Sequence, residues 1–191
     1  MRTFILMTSL ILHSVSVYSQ VKKWQKGNAE MLELEKQGDV KGAIEVGEQT
    51  LALVISKYGA MSMESSIVME NLAANYLHLD EYRKAKPLLF TCITYELETN
   101  GQTSELASMY TNLGNCYRKE KKYDSAEFHY KKSLALYENR LGNRHLYTVI
   151  TKSNLGINLW RKARLIKPLR CLRKCYFTTR KLKIRFTVHT Q

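Results

Sequence analysis

This sequence has little proline and lacks the motifs of common enzymes. Both absences limit the classes of protein to which it can belong. Only two prolines occur in 191 residues, of which 45% are hydrophobic, so a disordered or loop-dominated chain is not expected. The sequence has no phosphate-binding glycine loop, no dinucleotide fingerprint, no serine nucleophile elbow and no His-Glu-x-x-His pattern. Its five histidines are scattered, without the spacing of a metal site on one helix. We therefore predict a protein that is not an enzyme and needs no cofactor or metal ion.

Acidic residues are absent after Glu138. Up to that residue the chain holds 16 Lys and Arg against 17 Asp and Glu, a net charge of −1, whereas residues 139–191 hold the other 14 basic residues and no acid. The formal net charge of +13 therefore belongs to one segment. Any electrostatic partner would be recruited by this C-terminal quarter, and nucleic acid is not expected as a partner of the chain as a whole.

Hydrophobic runs long enough to cross a bilayer are also absent. The apolar run at residues 4–12 is about half the roughly 20 residues that a spanning helix needs. It follows Arg2 and precedes small or β-branched residues at Val17 and Ser19, the pattern of a cleaved signal peptide. Residues 1–19 therefore predict export to a periplasmic, cell-surface or secreted location. The alternative is an uncleaved anchor or a buried helix.

Four cysteines occur, and they do not form a familiar framework. Their number permits disulfides after export, but Cys92, Cys116, Cys171 and Cys175 are not spaced like a small disulfide scaffold. Neither neighbouring pair forms a C-x-x-C redox or zinc motif. We expect Cys92 and Cys116 to be small buried residues.

The chain repeats itself at about 42 residues. Three segments begin with Asn-Leu and a small residue, at 71–76, 112–117 and 154–159. Later anchor positions are spaced by 42, 41 and 42 residues, at Ala43, Ala85, Ala126 and Pro168. Gly59, Gly101 and Gly142 recur at the same period. A fixed period of this length is typical of a stacked repeat architecture.

Each part of the repeat has a physical role. The Leu and the Tyr four residues later lie on one helix face and fill the core, while the small residues allow helices to approach closely. The recurring glycine follows the second helix, where it can adopt a left-handed cap. The pattern predicts helices at 25–37 with 41–57, 65–79 with 82–98, 105–121 with 124–140, and 146–162 with 165–180.

This pattern resembles the tetratricopeptide repeat, in the 42-residue form found in kinesin light chains and in many exported bacterial repeat proteins. The residues that carry the resemblance are Asn112, Leu113, Gly114, Tyr117, Tyr123, Ala126 and Tyr130. The resemblance implies an all-α superhelix, a right-handed solenoid of about four helix-turn-helix repeats. It also implies a scaffold that binds a protein or peptide, acting outside the cytoplasm. The array would cover residues 20–163, with a degenerate fourth repeat and basic tail at 164–191.

Polar residues recur on the first helix of each repeat, and they are the candidate binding site. In tetratricopeptide families this helix lines a concave groove that binds peptides, and an asparagine can both donate to and accept from a peptide backbone. We expect Lys119 and Arg161 to contact an acidic side chain or a free carboxylate. The alternative is that the asparagines satisfy backbone groups between repeats. The candidate groove residues are Asn71, His78, Asn112, Asn115, Lys119, Asn154 and Arg161.

The basic tail at residues 164–191 permits three interpretations. It is a repeat helix followed by an arm that binds a membrane surface or polyanion, an ordinary solvated helix face, or the altered end of a truncated or frame-shifted chain. The loss of acids together with the decay of the repeat favours the third. A related alternative is that the chain is the N-terminal repeat segment of a larger protein, with a protease-like effector domain beyond it.

Overall fold

A computed structural model describes residues 23–165, and every regular element among these residues is a helix. The bounds of the seven helices, as far as they are described, lie within three residues of the predicted ones. They are α1 (23–36), α2 (Val40–Tyr58), α3 (Met63–His78), α4 (Tyr82–Thr99), α5 (Ser104–Lys119), α6 (Tyr123–Leu141) and α7 (described over 146–165). From α2 to α6, each helix packs on the next, and α3 also contacts α5. This is the predicted all-α superhelix of helix-turn-helix repeats.

Three equivalent turns fold the second helix of each pair back on the first. Gly38, Asp80 and Lys121, which are 42 and 41 residues apart, have positive φ angles of 84°, 60° and 61°. The following N–H donates to the carbonyl five residues earlier, as in the 2.8 Å bond from Glu81 to Tyr76 and the 2.9 Å bond from Lys122 to Tyr117. Each turn therefore satisfies a carbonyl that the end of the first helix leaves unpaired.

The recurring glycines join one pair to the next, and their conformation corrects the sequence prediction. Gly59 and Gly142 have φ of 82° and 85°, but their ψ angles of 164° and 166° are extended rather than left-handed helical. This region is essentially restricted to glycine. The extended bend points each glycine carbonyl at the next helix, where it accepts a hydrogen bond from Ser65 (2.6 Å) or Thr148 (2.8 Å). The glycine therefore sets the entry of the following helix.

The core confirms the predicted roles of the small and apolar anchors. Ala43, Ala85 and Ala126 are fully buried, and so are the repeat leucines at positions 72 and 113. Cys92 and Cys116 are buried free thiols, as expected from the sequence. Burial raises the pKa of each thiol to about 12, so both remain protonated and unreactive at neutral pH.

The seventh helix departs from the predicted fourth pair. The repeat pattern predicts that it ends at residue 162, but it continues without a turn to at least Leu165. The residues 161–165 are Arg, Lys, Ala, Arg and Leu, all good helix formers, so nothing local favours a break. Leu159, which stands where Tyr76 and Tyr117 stand in earlier repeats, is 42% exposed. No described helix covers this side of α7.

Several sequence predictions fall outside residues 23–165. They are the signal peptide at 1–19, the second helix of the fourth pair at 165–180, the cysteines at 171 and 175, and most of the basic tail. Within the described part of the chain, no helix combines the length and hydropathy needed to cross a membrane.

Candidate functional site

One cavity of the described chain lies on the face shared by the first helices of three successive pairs, α3, α5 and α7. Its volume is about 580 Å³. Glu70 of α3 stands at one side, and the central wall is α5, from Ser104 to Asn115. The end of α6 contributes Tyr137 and Leu141, and α7 closes the other side down to Asn154. Three of the helices that line it, α3, α5 and α7, are the first helices of successive pairs. Equivalent positions of successive repeats therefore lie near one another at this cavity.

Three of the predicted groove residues meet in this cavity. Asn112, Asn115 and Asn154 all line it. The side chains of Asn112 and Asn154 are half-buried and form no hydrogen bond to any residue of the 23–165 segment. Asn115 is committed within the fold, because its Oδ1 accepts a 2.7 Å hydrogen bond from the hydroxyl of Tyr130. Asn112 and Asn154 are therefore the two asparagines of the cavity that have both the donor and the acceptor of the amide available to a ligand.

Asn71, the first of the series, has a different role. Its Nδ2 donates a 3.0 Å hydrogen bond to Oδ1 of Asn28 in α1, the first helix of the preceding pair. It does not line the cavity. At this position the asparagine joins two repeats, which agrees with the alternative that the series is structural, although the contact is to a side chain rather than to the backbone.

The structure does not bring His78, Lys119 or Arg161 into the cavity. They lie seven residues beyond the asparagines, which is about 10 Å further along a helix axis. Lys119 is the last residue of α5 and pairs instead with Asp80 in the turn of the preceding pair. His78 and Arg161 are exposed to solvent. Sharing a helix face was therefore not enough to place these residues at one site.

Two carboxylates at the cavity could not be found from the sequence. Glu70 is largely withdrawn from solvent, and this burial raises its pKa, with Ser108 opposing the effect through a hydrogen bond. Glu105 lies in the first turn of α5 and raises the pKa of Glu70 further by repulsion. The equivalents of Glu70 one and two repeats later are Thr111 and Ser153, so no periodic signal marked it.

Aromatic side chains also line the cavity. The rings of Tyr137 and Tyr147 stack with centroids 5.7 Å apart and an interplanar angle of 28°. His145 lies beside Tyr147 at 5.3 Å. Burial raises the pKa of Tyr137 to about 12. The cavity is therefore lined by carboxylates, stacked tyrosines and asparagine amides.

Comparison with known proteins identifies the repeat. Residues 105–176, which include α5, α6 and α7, match the family model described as tetratricopeptide repeat. Residues 105–176 are therefore tetratricopeptide repeat sequence. Such repeats generally mediate protein–protein interactions and generally belong to non-catalytic scaffolds. No curated protein sequence matches the chain.

Solved structures share the tetratricopeptide fold over most of the chain. BtubC (BKLC) from P. vanneervenii superposes with a TM-score of 0.67 and 19% identity, over 88% of this chain and 65% of that one. The nearly identical TPR-like repeats assigned to a kinesin light chain of Podosopora anserina give a TM-score of 0.67 and 14% identity, over 83% of this chain and 76% of that one. This chain therefore spans about two thirds of the length of BtubC.

Asn158 performs the backbone role between repeats that was the alternative for the series Asn71, Asn112 and Asn154. Asn158 is fully buried, and its Nδ2 donates a 2.9 Å hydrogen bond to the carbonyl of Tyr123 in the preceding pair. Asn75, also fully buried, donates to the carbonyl of Asn71. These residues lie four positions after Asn154 and Asn71. Asn158 thus joins two repeats through the backbone, while Asn154 remains available at the cavity.

No three His, Cys, Asp or Glu side chains of residues 23–165 are grouped to hold a metal ion. The cavity offers hydrogen-bonding amides, carboxylates and aromatic faces, which are groups that bind and orient a ligand.

Proposed function

We propose that this chain is a non-enzymatic scaffold that binds an extended peptide segment of a partner protein in the cavity between α3, α5 and α7. The observation that carries the proposal is the pair Asn112 and Asn154, which are one repeat apart and line the same cavity. Neither side chain has a hydrogen-bonding partner among residues 23–165, so both amides are free to bind a ligand.

The chemistry of the two asparagines fits a peptide backbone. A primary amide presents a donor and an acceptor together, which matches the N–H and C=O of one peptide group. Two such amides on adjacent repeats would fix the direction of an extended chain without reading its sequence. Polar Thr111 and Thr151, 3.3 Å apart at their hydroxyl oxygens, hold α5 and α7 in register between them. The spacing of the two amides is therefore set by the fold before a ligand binds.

The proposal is tested by peptide selection followed by a double substitution. Peptides are selected from a random-sequence display library on the full 191-residue chain, and the affinity of one selected peptide is measured by fluorescence anisotropy. Asn112→Ala with Asn154→Ala should weaken binding by roughly 10- to 100-fold, since each hydrogen bond contributes about 0.5–1.5 kcal/mol. The helical content and melting temperature should be nearly unchanged.

The matched control is Asn139→Ala. Asn139 is an exposed asparagine on α6 and lines a different surface depression, beside Leu97 and Tyr110. Its substitution should leave the affinity unchanged. A loss of binding in Asn139→Ala, with none in the double variant, would place the peptide at that other depression and overturn the proposal.

We also propose that the mature protein acts after export. The support is the short apolar run and small residues of the predicted signal peptide at 1–19. Expression of the full chain in a bacterial host, followed by N-terminal sequencing of the product, tests this proposal. A mature N-terminus at Gln20 in the extracytoplasmic fraction is expected, and an intact Met1 in the cytoplasm would contradict it.

The basic tail is a second candidate surface, for anionic membranes. Residues 164–191 contain nine Lys and Arg and no acid, which favours binding to a negatively charged surface. The full chain should sediment with vesicles that contain phosphatidylserine at low salt, and it should stay in the supernatant at high salt. A chain that lacks residues 166–191 should not sediment. Equal retention of the shortened chain would contradict this role.

A further inference from the structure

The cavity holds two carboxylates that form no ion pair with a described residue, and the histidine among its described lining residues, His145, lies beside Tyr147. Glu70 and Glu105 line it, whereas none of its described lining residues is Lys or Arg. Neither carboxylate joins an ion pair within residues 23–165, although nine such contacts occur elsewhere in that segment. The fold therefore leaves these two carboxylates without a counter-charge.

The environment of Glu70 makes its charge costly in the unliganded protein. Its pKa is raised by burial and further by repulsion from Glu105 and Glu96. Ser108 offers a hydrogen bond, which offsets only part of this penalty. A cation that entered the cavity would supply the counter-charge that the fold does not.

The tyrosine wall provides an independent attraction for the same kind of group. Tyr137 and Tyr147 stack on each other beside the cavity. Glu70 lies close enough to Tyr137 for the carboxylate to raise the pKa of the phenol, and Ser108, which lines the same cavity, lowers the pKa of both groups. The carboxylate and the aromatic wall therefore act on one volume. An aromatic face attracts a Lys ammonium or an Arg guanidinium within about 6 Å of the ring.

We propose that this cavity selects an Arg or Lys side chain of the bound peptide, with Glu70 and Glu105 as counter-charges and the stacked tyrosines as an aromatic wall. The inference rests on the proposed peptide-binding function and adds the charge of the ligand to it. The amides of Asn112 and Asn154 hold the backbone, and the carboxylates read one side chain.

Other side chains fit the cavity less well. An acidic side chain would meet two carboxylates and increase the repulsion that already acts on Glu70. An apolar side chain of the same size would remove water from the carboxylates without replacing it by a partner, which is unfavourable for a buried charge. The site therefore favours a basic side chain over an acidic side chain or an apolar one of the same size.

The test combines a guest series in the peptide with neutral substitutions in the protein. The probe is a peptide selected on the full chain, with its basic residue replaced in turn by norleucine and by Glu. Against the parent protein, the norleucine peptide should bind about tenfold more weakly, as expected for a charge pair supplemented by a cation–π contact. Against the double variant Glu70→Gln with Glu105→Gln, the basic and norleucine peptides should bind about equally.

The control variant is Glu98→Gln, an exposed carboxylate of α4 outside the cavity, which should keep the full preference for the basic peptide. A preference for basic peptides that persists in the Glu70→Gln, Glu105→Gln variant would overturn the assignment of the site. Equal or tighter binding of the norleucine or Glu peptide by the parent would overturn the charge selection while leaving peptide binding intact. Failure to select any peptide would instead overturn the proposed function, and this inference with it.

Discussion

Tyr130 of α6 packs directly on Gly114 of α5: a Cβ atom built at Gly114 would lie 2.7 Å from the Cδ1 and Cε1 atoms of the ring. The glycine is needed because Tyr130 is fully buried and is also fixed by its hydroxyl, which donates to Asn115. The ring cannot move away without losing that bond. The close approach of α5 and α6 therefore depends on the absence of a side chain at Gly114.

Gly114→Ala should destabilise the protein by about 1–3 kcal/mol, because overpacking forces the ring or the helices apart. This loss should exceed the gain of about 0.5–1 kcal/mol that alanine brings to a helix interior. Chemical denaturation followed by circular dichroism measures the change in the free energy of unfolding.

Gly156→Ala is the matched control, since Gly156 holds the same repeat position 42 residues later. Apart from its chain neighbours and the backbone of its own helix, no atom of the described chain lies within 4 Å of the position that an alanine Cβ would take there, so the substitution should be neutral or stabilising. Equal losses at Gly114 and Gly156 would show that contact with Tyr130 is not the cause.

Asn71→Ala and Asn112→Ala should separate the structural asparagine from the binding one. Asn71 bonds to Asn28 across two repeats, and its loss should lower the free energy of unfolding by about 0.5–1.5 kcal/mol. Asn112 has no such partner in the described structure, so its replacement should leave stability unchanged or slightly raise it. Parallel thermal melts of the two variants provide the measurement, and equal losses would indicate that both residues are structural.

His129 should make stability fall in acid. Burial lowers its pKa to about 4, with a contribution from Lys132, and the ring stacks between Tyr110 and Tyr117. The unfolded chain takes up this proton near pH 6.5, whereas the folded chain resists it until about pH 4. The contribution is therefore present above pH 6.5 and is lost as the pH falls toward 4. The measurement is denaturant unfolding of the parent and of His129→Phe at several pH values, and the parent should lose more stability than the variant across that window.

Glu70 should act in the opposite direction. Its folded pKa is raised above the ordinary value of 4.5, so its contribution is fully present below pH 4.5 and is lost as the pH rises through the raised pKa. Glu70→Gln should therefore melt at a higher temperature than the parent at pH 7, and the two should converge below pH 4.5. Glu98→Gln, on the exposed side of α4, should show no such difference. A lower melting temperature for Glu70→Gln at pH 7 would mean that the ionised carboxylate stabilises the fold.

The features that recur in every helix pair could be predicted from the sequence. Fully buried Ala43, Ala85 and Ala126 recur because each helix pair needs the same close crossing. The intra-pair turns were harder to locate, because Asp80 and Lys121 adopt positive φ without being glycine. The ψ angles of Gly59 and Gly142 depend on the carbonyl contact with the following helix, which the local sequence does not record.

The candidate site was predicted only in part, for a related reason. Asn71, Asn112 and Asn154 are equivalent in sequence, but Asn71 faces Asn28, whereas Asn112 and Asn154 face a cavity. The neighbour on the adjacent repeat decides the role, and that neighbour varies. Glu70 and Tyr137 were missed because their positions are not repeated, and only the assembled helices bring them together.

The most direct test of peptide binding in this cavity is a nuclear magnetic resonance titration of the full chain with a selected peptide, observing the asparagine side-chain amides. The Nδ2 resonances of Asn112 and Asn154 should shift together on addition of peptide, because they line one cavity and have no other partner in the described chain. The resonance of Asn139, at the separate depression, should remain in place. Binding that shifts Asn139 and leaves both Asn112 and Asn154 unchanged would contradict the account.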